Sequence, residues 1–182
     1  RSVGYFRTGP FWAMILLSNL FAFAIKYYYA GVTDKRLIIV KLNAWGKPED
    51  KANFTLFLTE LRRQLDELGT ADHQHYLLTI AAPTGPGTVQ NYELKEIAAA
   101  VDWINLMTYD FHGPWDTTTN FNAPLFKTSA DPADSSLNVD AAVQTYLSSG
   151  VPAEKLVLCV PFYGYGWTVS SEADNGLYQP VS

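Results

Sequence analysis

Asp102 to Gly113 reads Asp-Trp-Ile-Asn-Leu-Met-Thr-Tyr-Asp-Phe-His-Gly. An apolar run of alternating character ends in the pair Tyr109-Asp110, followed by an aromatic residue and, two positions on, a glycine. In a parallel β/α protein the loops leaving the carboxyl ends of the strands converge on one face, and chemistry sits there. A buried strand finishing on Met107, Tyr109 and Asp110 puts a hydroxyl and a carboxylate on that rim. The same residues also read as a strand closing in a turn, with Asp110 capping loop amides. The stretch alone leaves both readings open.

Working outward, the chain alternates helix and strand signals from Pro48 onward. Phe54, Phe57, Leu58, Leu61, Leu65 and Leu68 recur at helical spacing, with Arg62, Arg63, Asp66 and Glu67 on the other face. Gly69 is placed to stop that helix. Tyr76 to Ala82 reads as a buried strand closed by Pro83-Thr84-Gly85-Pro86-Gly87, and Asn91 as the N-cap of a second helix through Leu94, Ile97 and Val101. Beyond the strand Trp103–Tyr109, a third helix runs from Asn138 to about Ser149 with Val139, Val143 and Leu147 on one face. Val151-Pro152 then turns the chain into an apolar strand, Leu156–Tyr163. Short helix-to-strand links in this order predict parallel β/α units, with residues 76–82, 103–109 and 156–163 as adjacent strands and the helices on one outer face. A strand within 36–43 and a helix within 11–29 are also expected. One connection stands out: the 28 residues 110–137, rich in Gly, Pro, Thr, Asn and aromatics, leave the strand end that carries Tyr109. Loops of that length in compact domains are usually functional.

Composition narrows the chemistry. The 182 residues are 48% hydrophobic and 17% charged, which is globular and enough for one domain with a core. A net charge of −5 without a basic patch argues against nucleic acid. The 5 Trp, 11 Tyr and 10 Phe suit stacking on flat apolar ligands such as sugar faces, as well as ordinary packing. Cys159 is the single cysteine, so no disulfide forms within the chain. No G-x-G-x-x-G or G-x-x-x-x-G-K-[ST] string provides a phosphate cradle, and no G-x-S-x-G elbow is present. His73, His75 and His112 lack a metal-ligand spacing, and no cofactor or metal is expected. Thr8 to Ile25 carries no charge but is interrupted by Ser18 and Asn19; a buried helix is preferred over a membrane span, and no small-residue cleavage site follows it. Arg1 in place of Met reads as a fragment or processed product.

With these residues assembled, the chain resembles the chitinases of glycoside hydrolase family 18, particularly the bacterial type. The resemblance rests on Lys47-Pro48-Glu49-Asp50-Lys51, Tyr76 to Ala81, Val101 to Gly113, Asn122-Ala123-Pro124-Leu125 and Val151 to Trp167. Met-x-Tyr-Asp at 107–110 with Val160-Pro161-Phe162-Tyr163-Gly164 downstream is its most specific part. It implies an α/β fold, part of a (β/α)8 TIM barrel covering roughly the fourth to seventh strands, with parallel strands and outer helices. It further implies a secreted enzyme that cleaves β-1,4 bonds of chitin with retention, the substrate supplying the nucleophile. The 2-acetamido oxygen attacks the anomeric carbon while a glutamic acid protonates the leaving oxygen. Tyr109 then resembles the residue that hydrogen-bonds the acetamido group, and Asp110 a sugar-binding carboxylate near the cleavage point. Met107 resembles the residue beneath that sugar, Tyr163 a wall residue and Trp115 a cleft aromatic. Tyr165 stands in the same cleft where bacterial relatives often carry arginine. The implied partners are chitin or N-acetylglucosamine oligosaccharides.

The family's acidic signature, Asp-x-x-Asp-x-Asp-x-Glu, belongs shortly before Lys47. Here Lys35 to Pro48 contains no carboxylate. Glu49 and Asp50 match the helix-start region and do not replace the missing acid. Residues 1–45 therefore read as divergent or mis-framed, 46–167 as family-like and 168–182 as the start of an inserted segment within one partial catalytic domain. Such a half barrel would expose strand edges. The leading reading is a chitinase-type glycosidase lacking its acid and inactive as given. The second is a chitin-binding lectin that holds oligosaccharides without cutting them. A third is an unrelated doubly wound β/α protein with a small ligand. A glycosidase needs a carboxylic acid within reach of the leaving oxygen, whereas a lectin needs only the stacking residues.

Overall fold

The computed structural model describes residues 37–41 and 48–181, with side chains described from Lys51 onward. The helix expected within 11–29, and most of the divergent segment 1–45, lie outside the described residues. Among the described residues four strands, β1 (Leu37–Lys41), β2 (Leu77–Ala82), β3 (Trp103–Leu106) and β4 (Leu156–Leu158), lie side by side in sequence order, every neighbouring pair parallel. Register pairs Ile80 with Ile104, and Ile104 with Leu156. Between the strands run α1 (Pro48–Asp72), α2 (Pro86–Val89), α3 (Leu94–Ala100) and α4 (Val139–Ser148). The parallel β/α order expected from the sequence is the one observed.

The sheet and helices meet through the apolar stripes. Phe54, Leu58, Leu61 and Leu65 on α1 form the buried face of that helix, packed in one core with Leu78, Ile80 and Ala82 of β2, Ile104 and Leu106 of β3, and Ile97 of α3. Along β3 burial alternates: Ile104, Leu106 and Thr108 are buried, while Trp103, Asn105, Met107 and Tyr109 are half-buried on the opposite face. At the other edge of the sheet Val157, Leu158, Val160 and Phe162 are exposed.

At the amino ends of the strands a polar knot ties sheet to helix. Asp102 Oδ2 accepts the Leu78 backbone N–H at 2.6 Å and receives Arg62 Nη1 at 3.3 Å, while its Oδ1 lies 2.6 Å from His75 Nε2. Arg62 Nη1 also donates to the Tyr76 carbonyl at 2.8 Å. At the C-terminus of α3, Lys155 Nζ donates to the carbonyls of Ala98 and Val101, a cation satisfying helix-end oxygens.

Several local expectations are corrected. Gly69 does not stop α1: the helix continues to Asp72, and His73 takes the left-handed conformation at φ 55°. Gly69 serves close approach instead, because a Cβ there would stand 2.2 Å from the Gln74 carbonyl oxygen. Asn91 is not an N-cap. Pro86, preset for a first helical turn, starts the short α2; the Asn91 side chain donates to Gly87 O, and α3 begins after Glu93. In α4 the fully buried residues are Ala142 and Tyr146 rather than Val139, Val143 and Leu147, and the Tyr146 hydroxyl reaches across to Pro83 O at 2.6 Å. Burial raises the Tyr146 phenol far above its ordinary value, which keeps that donor protonated. Asn138, where the third helix was expected to start, caps α4, its side chain accepting the Ala141 N–H at 2.9 Å.

Candidate functional site

Strand β3 ends at Leu106, but its hydrogen bonding carries on into the loop. Met107 N donates to Ala82 O at 3.0 Å, Cys159 N to Leu106 O at 3.0 Å, and Thr108 Oγ1 to Cys159 O at 2.7 Å. These bonds hold Met107 to Tyr109 between the ends of β2 and β4, at the carboxyl edge of the sheet. The chain then turns sharply at Asp110, which has φ 58°, a left-handed conformation that non-glycine residues seldom adopt and that often marks a functional site.

The long loop and the segment after β4 stabilise that turn. Asn122 Oδ1 accepts the Asp110 N–H at 2.7 Å, Asn122 O accepts the Phe111 N–H at 3.0 Å, and Asn122 Nδ2 donates to Tyr163 O at 3.2 Å. Asn122 is the residue that sequence reading did not place in the site. Its signal was the Asn-Ala-Pro-Leu string, legible as resemblance but not as a bridge.

Around Asp110 the aromatic side chains converge. Tyr163 and Tyr165 both donate their hydroxyls to Asp110 Oδ1, at 2.6 and 2.7 Å. Tyr109 and Tyr163 pack edge to face with ring centroids 6.1 Å apart, Tyr163 and Tyr165 at 5.9 Å, and Tyr165 and Trp115 at 5.9 Å. Of the six residues singled out from sequence, five meet in this cluster. Met107 sits two residues before Tyr109, on the same half-buried face of the strand. The rings form an open surface, with Trp115 60% and Tyr163 48% exposed.

The phenols are held as donors. Desolvation, followed by the charges of Cys159 and Asp110, raises Tyr109 above its ordinary value. Tyr163 is pushed up to about 12, by desolvation first and then by its hydrogen bond to Asp110. Tyr165 is raised chiefly by its bond to the same carboxylate. All three therefore stay protonated well above neutral pH. Among the described residues, both hydroxyls that donate to the Asp110 side chain go to Oδ1.

Other concavities lie elsewhere. A cavity of about 630 Å³ runs between the outer helices beside Tyr92 and Lys95, and one of about 280 Å³ lies in the long loop beside His112 and Asp134. Neither is built from the ring cluster. Among the described residues no group of three or more His, Cys, Asp or Glu side chains converges to hold a metal.

Consecutive parallel strands, outer helices and a rim of aromatics and carboxylate at the strand ends define a partial (β/α)8 barrel. The profile of glycosyl hydrolases family 18 matches residues 24–181, and the chain belongs to that family. Chitinase A1 of Niallia circulans is 50% identical over 141 residues, covering 73% of this chain and 20% of the relative. The solved structure of chitinase ChiA74 from Bacillus thuringiensis superposes with a TM-score of 0.73 at 45% identity, covering 78% of this chain and 24% of that one. The structure of YKL-39 in the presence of chitooligosaccharides gives a TM-score of 0.71 at 30% identity, covering 79% of this chain and 40% of that one. The chain thus spans about a fifth of the length of Chitinase A1 and under half of each of these solved structures.

Proposed function

We propose that this chain carries the sugar-binding rim of a chitinase-type glycosidase acting on β-1,4-linked N-acetylglucosamine, by a substrate-assisted retaining mechanism. The observation that carries this reading is Asp110, held in a left-handed turn with two phenols on one oxygen and Tyr109 beside it. Tyr109 donates its hydroxyl to the 2-acetamido carbonyl oxygen. That oxygen attacks the anomeric carbon as the glycosidic bond breaks, and the hydrogen bond strengthens as charge develops. Asp110 accepts sugar hydroxyls through its second oxygen. Met107 lies beneath the sugar, and Trp115, Tyr163 and Tyr165 wall it.

The leaving oxygen must take a proton, and Lys35 to Pro48 offers no carboxylic acid. The chain as given therefore binds without cutting. That same carboxylate-free stretch favours the second reading, a chitin-binding protein of the lectin kind. Either one is secreted in this reading, in keeping with the family resemblance.

Calorimetric titration separates sugar recognition from nonspecific stacking. Chitotetraose should bind saturably and cellotetraose about tenfold more weakly, the worth of the acetamido hydrogen bond. Equal affinity for both, or none for chitotetraose, sinks the reading.

A further inference from the structure

Trp115 is among the more exposed large apolar side chains described, at 60%, yet its ring is confined on three sides. First, it stands in a tight turn: Asp116 N donates to Gly113 O at 2.9 Å, with Pro114 in the position where a fixed φ favours such turns. Asp116 Oδ2 locks the turn by accepting the Gly113 N–H at 3.1 Å, and lies 3.1 Å from Nδ1 of the buried His112. Second, the indole lies on the backbone of Gly113. A Cβ there would come within 2.4 Å of Cη2, 2.6 Å of Cζ3 and 2.7 Å of Cζ2 of Trp115. Only glycine leaves the benzo ring that seat. Third, Tyr165 meets the indole edge to face at 75°, and the same Tyr165 holds Asp110 through its hydroxyl.

We infer that Gly113 and Tyr165 are positioning residues that preset the Trp115 indole as a stacking platform for one pyranose ring, and that Tyr165 ties this platform to the Asp110 carboxylate. The ligand rests on the sugar-binding reading above; the seat of the ring is a property of the free chain. An exposed tryptophan that had to be ordered on binding would lose affinity, so a seated ring binds more tightly with no added contact. Because the clashing atoms belong to the far end of one exposed side chain, Gly113→Ala moves the ring and spares the fold.

The test is ¹⁹F NMR on the chain labelled with 5-fluorotryptophan, with the Trp115 signal assigned by Trp115→Phe, followed by titration with chitotetraose. In the free chain Gly113→Ala should shift the Trp115 signal and leave the other four tryptophans of the five in place. Tyr165→Leu should shift it as well, while Tyr165→Phe, which keeps the ring, should not. Gly113→Ala should weaken chitotetraose about three- to tenfold, and the same change in a Trp115→Ala background should cost nothing. An unmoved Trp115 signal in Gly113→Ala overturns the inference. So does an equal loss of affinity in the Trp115→Ala background, which would mean that Gly113 acts through the fold. Signals that shift as expected while the parent chain ignores chitotetraose would support the seat and defeat the sugar-binding reading.

Discussion

Asp102→Ala should lower the unfolding free energy by about 1–3 kcal/mol, the cost of leaving a buried hydrogen-bond donor without its acceptor. The Arg62 and Asp102 side chains are only 15% and 21% exposed, and Arg62 keeps a second carboxylate, Asp66 Oδ1, at 2.6 Å from Nη2. The carboxylate also serves the N–H of Leu78, whose residue is fully buried at the start of β2, and that donor would be left unpaired. One side chain thus joins α1, β2 and the entry to β3. Asp102→Asn keeps an acceptor for Leu78 while removing the charge and should lose less than the alanine variant. Urea unfolding monitored by circular dichroism measures both. A loss below about 1 kcal/mol for Asp102→Ala would place it among exposed surface pairs and refute the role given to it.

Purified chain should release chromophore from a chitobioside no faster than background. General acid assistance contributes roughly 10²–10⁴ in rate, and the stretch from Lys35 to Pro48 contains no carboxylic acid. Glu49 lies in the first turn of α1, at the start of a 25-residue helix, where the sequence resemblance places the helix entry and not the acid. Turnover that disappears with Glu49→Gln would show that the acid is present at that position and that the strand before α1 had been misread.

Periodicity made the layered fold legible. The α1 stripe of Phe54, Leu58, Leu61 and Leu65 repeats at the helical interval, and β2 is an apolar run broken only by the buried Thr79, as expected of a strand covered on its faces. Asn138 was legible as the start of a helix, and the structure adds the capping bond from Ala141 N–H to its side chain. Gly69 and Asn91 were not legible, because each does something a one-dimensional signal does not encode. Gly69 makes room for Gln74 O, and Asn91 is drawn into a turn begun by Pro86. The buried face of α4 was missed because Tyr146 carries a polar tip whose partner, Pro83 O, lies 63 residues away. The strands also end earlier than their apolar runs, at Leu106 and Leu158, because the ladder gives way to single bonds such as Cys159 N to Leu106 O.

The candidate site shows the same division. Tyr109 and Asp110 stood out by position at a strand end, and Trp115, Tyr163 and Tyr165 by resemblance. Their convergence depends on contacts between residues 53 and 55 positions apart, Tyr163 and Tyr165 reaching Asp110. Asn122, which binds Asp110 on one side and Tyr163, 41 residues on, at the other, has no local pattern to announce it.

Backbone chemical-shift mapping of the ¹⁵N-labelled chain during titration with chitotetraose tests the central claim most directly. The account predicts shifts confined to Met107–Trp115, Asn122 and Tyr163–Trp167, saturating together and abolished by Asp110→Ala. Shifts centred instead on the groove between the outer helices at Tyr92 and Lys95, or persisting unchanged in Asp110→Ala, would contradict it.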